Sequence, residues 1–543
     1  MSFGAPPMIE TLQSLLALLA VLALVAVVAR RLGIAPSILL IVAGIGLALV
    51  PGLPRIEMAP EVVLLLMLPP LIYSAGVAMS WREFHLNLRP ITLLAFGCVV
   101  FTAGAVAVAT HYILGFPWAV GFLLGAIVAP PDVVAPLAIA RKLGMPHRIM
   151  VILEGEGLAN DATALIIYRF AVVAIVTGTF SLPEAGGVFG LIVVGEIAYG
   201  IGVGWLSLRL RRLANEPRVE IVLSLMTPYV AYWLPEHLGG SGVLATVAAG
   251  LYVSWRGPLL ISSATRLQGF FFWDLVIYLI EGFVFLVTGL QARTLIEHAT
   301  IDQLRGLLLA TLLTSAVIIV ARFVWVYPAT YIPRWINPAL RLRDPSPPWQ
   351  TPFLIGFIGI RGVVSLAAAL AIPLTLANGA PFPHRDLILF ITFGVIIVTI
   401  VGIGLTLPVV LRWLGLADTA EAEHQREHEA ELAARFELME TALTHLDTLI
   451  DQRQLPEPVV GTIRAHFDTK RRQFPRRVSD GVEEAALTSA LRLELIALER
   501  EHLHRLLREG KVSDEVRRRI ERELDLDEAT VVFKGDGQAE LPV

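Results

Sequence analysis

Apolar segments of about 20 residues recur along the first three quarters of this chain of 543 residues. A segment of that length crosses the roughly 30 Å hydrocarbon layer of a bilayer as an α-helix. Lipid offers no partner for backbone N–H and C=O groups, so a segment there must satisfy them within itself or in a closed barrel. The apolar runs have the length that a membrane-spanning helix needs, and we therefore predict an all-α membrane protein with thirteen transmembrane helices. The predicted spans, numbered 1 to 13, are 8–29, 34–52, 59–78, 90–113, 117–139, 149–177, 187–208, 219–236, 239–255, 270–291, 302–328, 352–376 and 386–414.

Charge divides the chain into two parts. The hydrophobic fraction is 55% and the mean hydropathy +0.69, both above the values of ordinary soluble domains. Residues 417–543 nevertheless carry 28 acidic and 19 basic side chains, a net charge of −9, whereas residues 1–416 carry a net charge of +5. We therefore predict a transmembrane domain over 1–416 and a polar, mostly helical tail over 417–543. Helical spacing of apolar residues is clear over 421–449 and 485–507.

Basic residues alternate between the predicted loops. Loops after odd-numbered spans carry sixteen Arg and Lys residues, and loops after even-numbered spans carry four if Arg305, at the start of span 11, is included. Cytoplasmic loops are the ones enriched in Lys and Arg. The pattern therefore places the N-terminus outside and the tail in the cytosol of a multi-pass protein of the cell membrane.

Thirteen spans can be arranged as two six-span repeats of opposite topology joined by one span. Spans 5 and 12 then correspond, and both are interrupted: Pro130 and Pro131 precede Asp132 in span 5, and glycines flank Arg361 in span 12. Prolines remove backbone donors and glycines favour non-helical backbone. Broken helices at matching positions of two inverted repeats indicate a binding site near the bilayer midplane.

Span 6 contains the densest group of polar residues, in the sequence EGEGLANDATAL. Ionisable side chains inside a membrane are costly unless they serve a function or are paired. Asp161 lies about 140° around the helix from Glu156, so the two carboxylates face different partners. Asp161 is the principal candidate for a functional carboxylate, because it is next to Asn160 and follows the broken span with Asp132.

Other kinds of protein are disfavoured by the sequence. A single cysteine, Cys98, excludes an intramolecular disulfide and cysteine-cluster metal sites. No HExxH or GxSxG motif is present, so we expect neither an enzyme nor a cofactor, and nothing indicates a nucleic-acid partner. A transporter, a channel and a membrane-bound sensor remain as alternatives.

Five motifs together resemble the monovalent cation:proton antiporter-1 family, the sodium/proton exchangers, over about residues 10–415. They are PPLIYSAG in span 3, APPDVVAP in span 5, EGEGLANDATAL in span 6, ARFVWVYP in span 11 and GIRGVVSLAAAL in span 12. The resemblance implies a homodimer in which a core domain (spans 4–6 and 11–13) moves against a dimerisation domain (spans 1–3 and 7–10). It also implies alternating access and a role in pH homeostasis.

The resemblance further implies roles for the site residues. Asp161 takes either a cation or a proton, Asp132 is the second acid on the unwound part of span 5, and Asn160 orients the site, which places Na⁺ at Asp161 and Asp132. Glu156 pairs with Arg322.

Arg361 stabilises the exposed carbonyls of the broken span 12, or alternatively pairs with Glu154 or Glu156. The first role follows from the resemblance, and the second is the simpler structural alternative, an ion pair; the sequence does not decide between them.

The chain departs from the family pattern at four positions. Pro131 precedes and Val133 follows Asp132 where the family often has Thr-Asp-Pro, Gly157 follows Glu156 where Ser is frequent, and Ser74 stands where some members have an acid. Two hydroxyl ligands and one possible carboxylate are therefore absent. Hard cations prefer several oxygen ligands. Water and a few remaining oxygens would have to supply them, namely the backbone carbonyls of residues 129–131 (Pro130 and Pro131 among them) and the hydroxyls of Ser74 and Thr163.

Four more charges lie in predicted spans. Glu281 is expected to pair with an arginine of the scaffold or, as the less favoured alternative, to line a cytosolic funnel. Glu196 and Asp274 are expected near span ends, where they can be hydrated. Arg169 is expected either to extend its charged group towards the outer membrane surface or to form an ion pair near that surface.

The function predicted from these features is secondary active exchange of a monovalent cation for protons. Na⁺ is favoured and Li⁺ or K⁺ are alternatives, and membrane lipid is the expected surrounding. Asn160 cannot carry a proton, so the exchange is expected to be electroneutral. The alternatives are a cation channel and a K⁺-selective proton-coupled exchanger.

Overall fold

The computed structural model describes residues 7–32, 35–50, 62–132, 136–137, 144–179, 181–292, 301–376, 379–453, 456–473, 482–509 and 511–539. These residues are helical apart from turns, short extended segments and one isolated bridge between Thr375 and Pro381. The chain forms two compact units, Met1–Ala420 and Glu421–Val543.

The first unit consists of helices of very different lengths. Stretches of π-helix precede α3 (Val62–Met67) and α6 (Leu93–Cys98). The helices are α1 Pro7–Leu32, α2 Pro36–Ala48, α3 Leu68–Ala78, α4 Trp81–Leu86, α5 Leu88–Thr92, α6 Val99–Leu114, α7 Trp118–Val128, α8 His147–Thr177, α9 Leu182–Ala214, α10 Pro217–His237, α11 Val243–Leu260, α12 Ser263–Leu290, α13 Ile301–Ile336, α14 Pro338–Arg343, α15 Gln350–Phe357, α16 Val363–Leu370 and α17 Arg385–Leu414.

Each of the thirteen predicted spans contains helix among the described residues. In the described parts of the chain, seven helices are long and apolar enough to cross a membrane, and three further apolar helices are shorter. The protein is therefore a membrane protein with several apolar helices, while the count of thirteen spans and the inverted repeats stay predictions. Residues 133–135 and 138–139 of predicted span 5 fall outside the described residues.

Both predicted interruptions are present in the backbone. Helix α7 ends at Val128, directly before the prolines of span 5. Span 12 is divided into α15 and α16 by residues 358–362, which are not helical. Proline and glycine therefore end these helices where the sequence predicts.

The helices of this unit pack as two bundles. Helices α5 to α8 pack with α13 to α17, and α1 to α3 pack with α9 to α12. The first bundle contains both interrupted spans. The second contains none, and it faces the interruptions through α3, α12 and the π-helical stretch before α3.

Close helix crossings in the second bundle depend on glycine. A Cβ atom on Gly44 of α2 would lie 2.3 Å from the carbonyl oxygen of Leu286 and 2.9 Å from the Cα of Gly289 on α12. Gly76 of α3 and Gly250 of α11 meet in the same way. Small residues let helix backbones approach closely in membranes, where packing is the main source of helix association.

Three arginines surround one carboxylate at an end of the first bundle. Asp344, after α14, accepts hydrogen bonds from Arg89 (2.8 Å), Arg148 (2.8 Å) and Arg334 (2.7 Å). Burial alone would raise the pKa of Asp344, but the arginines outweigh it and hold this pKa below its usual value. The carboxylate therefore stays charged at neutral pH and ties together α5, the start of α8 and the end of α13.

The second unit is helical as well. Its helices are α18 Ala417–Arg453, α19 Glu457–Gln473, α20 Val482–Arg508 and α21 Asp514–Ala539. The stretches predicted over 421–449 and 485–507 lie in α18 and α20, whereas α19 and α21 were not predicted. Helices α20 and α21 pack through Ile496, Leu503 and Leu524, and Arg500 pairs with Asp525 and Glu528.

We predict that Gly44→Val lowers the melting temperature of the detergent-solubilised protein. The new methyl groups would overlap the backbone of α12, and overpacking of this kind costs about 1–3 kcal/mol. Gly46→Val is the matched control on the same helix, because no atom lies within 4 Å of a Cβ at Gly46. Equal melting temperatures for the two variants, measured by differential scanning fluorimetry, would contradict the packing argument.

Candidate functional site

A cavity of about 760 Å³ lies at the junction of the two bundles. The first bundle contributes the interruption after α7, one face of α8 and the start of α16. The second contributes α3 and α10 to α12. Most of the wall is apolar, and the polar groups on it include Ser74, Pro130, Asp132, Asp161 and Ser365.

The two interruptions meet at this cavity. The backbone N–H of Asp132 donates a hydrogen bond to the carbonyl oxygen of Ile360 at 2.7 Å. The Asp132 side chain lies directly against Gly362, where a Cβ atom would come within 1.9 Å of Oδ2. Only glycine at position 362 leaves room for this carboxylate, so the glycine of span 12 positions the acid of span 5.

The side chain of Arg361, in the interruption of span 12, also links the two interruptions. Its guanidinium is buried, and Nε and Nη2 donate to the carbonyl oxygens of Val128 (2.7 Å) and Ala129 (3.2 Å). Nη1 donates to the carbonyl of Gly359. Among the described residues, no carboxylate forms an ion pair with Arg361, so the geometry favours its reading as a group that satisfies exposed carbonyls. The pairing with Glu154 or Glu156 is not observed.

Asn160 and Asp161 follow one another on α8 but face different surroundings. The Asn160 side chain is buried, and its Nδ2 donates to the carbonyl oxygen of Pro131 at 2.7 Å. Asp161 is partly exposed on the cavity wall. Its carboxylate is close enough to that of Asp132 for the two charges to interact. Asn160 thus fixes the interrupted segment to α8, beside the carboxylate that faces the cavity.

Glu156 lies one turn before this pair and points away from the cavity. Arg322 of α13 donates to it from Nη1 (2.5 Å) and Nη2 (2.7 Å), and from Nε to the carbonyl of Ile355 (3.0 Å). Both side chains of the ion pair are buried. A bidentate pair with its remaining donor satisfied is the arrangement in which buried charges are tolerated. Through these three hydrogen bonds, Arg322 links α8, α13 and α15.

The remaining candidate ligands differ in their availability. Ser74 lies on the cavity wall, and its hydroxyl donates to the carbonyl of Leu71 at 3.0 Å, which leaves its oxygen lone pairs free to accept. Pro130 and Pro131 line the cavity, but the carbonyl of Pro131 already accepts from Asn160. The Thr163 hydroxyl is buried without a hydrogen-bond partner in the described structure and does not line the cavity. Val133 lies outside the described residues.

Further acids line the cavity, and the sequence analysis did not single out one of them, Glu220. Glu281 and Asp274 of α12 and Glu220 of α10 line it, although Glu281 was expected mainly to pair with an arginine. The cavity-facing residues of α12 recur at helical spacing, but that pattern alone does not say what the face contacts.

The expectation that Glu196 is hydrated was wrong. Its carboxylate is buried and accepts from the backbone N–H groups of Ser241, Gly242 and Leu244, at 2.5, 3.1 and 3.2 Å. These donors lie at the N-terminus of α11, where helices leave N–H groups without partners and where negative charge is favourable. Arg169 pairs with Glu236, as one of the two expectations had it.

Two carboxylates next to one another in a mostly apolar cavity can hold either protons or a hard cation. Asp132 and Asp161 provide anionic oxygens, and Ser74 and Pro130 provide neutral ones nearby. Oxygen ligands of this kind suit alkali cations. Desolvation makes a carboxylate easier to protonate, so a proton and a cation can compete for the same group.

Comparison with known proteins identifies a family and similar relatives. Residues 16–413 match the transmembrane family of sodium/hydrogen exchangers. An uncharacterised Na⁺/H⁺ exchanger of Mycobacterium tuberculosis is 33% identical over 518 residues, which cover 94% of each chain. A sodium, potassium, lithium and rubidium/H⁺ antiporter of Bacillus pumilus is 33% identical over 383 residues, which cover 68% of this chain and 57% of that protein.

A solved structure is similar in fold. The sodium proton antiporter of Methanocaldococcus jannaschii superimposes with a TM-score of 0.60 at 18% identity, over 75% of this chain and 100% of that one. At this identity the likeness concerns the fold alone.

We predict that Glu156 and Arg322 are energetically coupled. Removal of one partner of a buried pair strands the other charge and costs about 3–5 kcal/mol, so Glu156→Gln and Arg322→Gln should each lower the melting temperature strongly. The double variant should lose less than the sum of the two. Asp386→Asn is the control for neutralising a fully exposed carboxylate. Additive losses in thermal unfolding would show that the two side chains do not interact.

Proposed function

Because the chain belongs to the family of sodium/hydrogen exchangers, we propose that it exchanges Na⁺ for protons across the cell membrane at Asp161 and Asp132. The observation that carries this proposal is the position of Asp161, which faces a cavity between two bundles at the point where two broken helices meet. Li⁺ and K⁺ are the alternative substrates, because the relative in Bacillus pumilus is named for several alkali cations.

The proposed chemistry is competition for one carboxylate. Protonated Asp161 is neutral and has no attraction for a cation, whereas the deprotonated form binds one with help from Asp132. Ser74, the carbonyl of Pro130 and water complete the set of oxygens. Exchange then needs no separate coupling device, because occupancy by the cation and occupancy by the proton exclude one another.

Alternating access would come from movement of the bundle with α5 to α8 and α13 to α17 against the other bundle. The cavity extends to Arg211, Glu220 and Arg266, which the charge pattern of the loops assigns to the cytosolic side. On α8 and α10, Arg169 and Glu236 form an ion pair between the bundles. The loop pattern assigns this pair to the outer side, where it would keep the exit closed in this conformation.

The remaining features follow from the same proposal. The bundle with α1 to α3 and α9 to α12 is the proposed dimerisation domain of a homodimer in the bacterial inner membrane, with the N-terminus outside. The tail over 417–543 is proposed to be regulatory and cytosolic, because it is too polar to enter the membrane and the charge pattern of the loops assigns it to the cytosolic side. Exchange of this kind serves pH homeostasis.

We predict that Asp161→Asn abolishes exchange, because an amide can neither release a proton nor neutralise a cation. In proteoliposomes, a Na⁺ gradient should drive a pH change with the unaltered protein and only the background of empty liposomes with this variant. Asp386→Asn, at a fully exposed carboxylate, is the matched control and should keep its activity. Substantial exchange by Asp161→Asn would rule out this carboxylate as the shared site.

The same assay separates a carrier from a channel. A carrier couples two gradients, so an outward proton gradient should drive uptake of radioactive Na⁺ against its own gradient. A channel would only equilibrate the cation.

We further predict that the exchange is electroneutral, one cation for one proton. Asn160 next to Asp161 cannot titrate, so the adjacent pair offers one proton site. Moving a net charge is worth about 2.3 kcal/mol per 100 mV, so voltage shifts the equilibrium of an electrogenic exchanger. A voltage imposed with valinomycin should leave the reversal point unchanged. A voltage-dependent reversal point would indicate a second transported proton, with Asp132 as its first candidate carrier.

A further inference from the structure

One face of α12 lines the cavity along most of its length. Arg266, Phe270, Trp273, Ile277 and Glu281 recur on it at helical spacing, and all of them contribute to the wall. Asp274 lies on the same wall seven residues before Glu281, about 10 Å along the helix axis. Helix α12 therefore presents two carboxylates to the cavity that holds Asp132 and Asp161.

Glu281 differs from the structural acids of this protein. Glu156 is buried against Arg322, and Glu196 is buried against the N-terminus of α11. Glu281 is only partly buried, and among the described residues no arginine or lysine forms an ion pair with it. Intramembrane acids without a structural partner are usually part of an ion pathway.

The position of Glu281 relative to the site is equally informative. Its side chain lines the same mostly apolar cavity as that of Asp132, where charges are poorly screened from one another. The two residues belong to different bundles, because Asp132 follows α7 and Glu281 is on α12. A cation near Asp132 is therefore attracted from both sides of the cavity in this conformation.

We propose that Glu281 is a third carboxylate of the cation pathway, which raises the affinity for the cation without carrying the transported proton. It is a positioning residue, since it acts on the cation bound beside Asp132 and Asp161. Its location on the other bundle excludes it from the proton-carrying role, because it would not move with Asp161. This inference rests on the proposed exchange function and adds to it the residue that sets cation affinity.

Three variants test the inference in proteoliposomes with full-length protein. We expect Glu281→Gln to raise the apparent KM for Na⁺ about tenfold, which corresponds to about 1.4 kcal/mol, and to leave the maximal rate within about twofold. Glu281→Asp keeps the charge and should restore most of the affinity. Glu216→Gln, an exposed acid outside the cavity lining, should behave as the unaltered protein.

Binding measured without transport gives an independent readout. Na⁺ or Li⁺ should raise the melting temperature of the detergent-solubilised protein, because a ligand of the native state stabilises it. For Glu281→Gln, the salt concentration that gives half of this effect should rise about tenfold, with choline chloride as the control for ionic strength.

Three results would overturn the inference. An unchanged KM in Glu281→Gln would remove its role in cation affinity while leaving the proposed exchange intact. Loss of all exchange in a Glu281→Gln protein that is folded and still stabilised by Na⁺ would make Glu281 a proton carrier instead. Absence of exchange in the unaltered protein would overturn the proposed function and this inference together.

Discussion

The hydrogen bonds between the two interrupted spans are the constraint on which the rest of this membrane domain depends. Unwound backbone inside a bilayer is stable only where protein groups satisfy its N–H and C=O groups. Here the N–H of Asp132 reaches the carbonyl of Ile360, and Arg361 reaches back to the carbonyls of Val128 and Ala129. From α8, the side chain of Asn160 donates a hydrogen bond to the carbonyl oxygen of Pro131. Each interruption is thus completed by residues outside its own span.

This arrangement explains how charged groups can stand beside a cavity in an apolar protein. Glu156 and Arg322 neutralise one another away from the cavity and join α8 to α13. The main effect of this ion pair is to hold α8 and α13 in position, because a buried pair contributes little net stability but is costly to break. The acids on the cavity wall have a different role. Asp132, Asp161 and Glu281 are not buried in such pairs with Arg322 or Arg361, and they form the anionic part of the wall.

The division into two bundles gives the cavity its shape and the proposed movement its direction. Glycine contacts such as Gly44 with Gly289 pack the second bundle tightly. Between the bundles, apolar side chains of α3, α10 and α11 pack with those of α7 and α8 beside the cavity, and the ion pair of Arg169 and Glu236 joins the bundles at one end. The proposed movement would break this ion pair and shift these apolar contacts.

The sequence by itself determined the helical class, the position of each apolar helix and the two interruptions, because hydropathy and the backbone limits of proline and glycine are local properties. Its motifs also identified the family and singled out Asp161. The tertiary structure decided which groups meet. Arg361 contacts the carbonyls of Val128 and Ala129, Glu196 caps α11, and Glu281 lines the same cavity as Asp132. None of these partners is near in sequence. Helical periodicity tells which side chains share a face, but only packing decides what that face contacts.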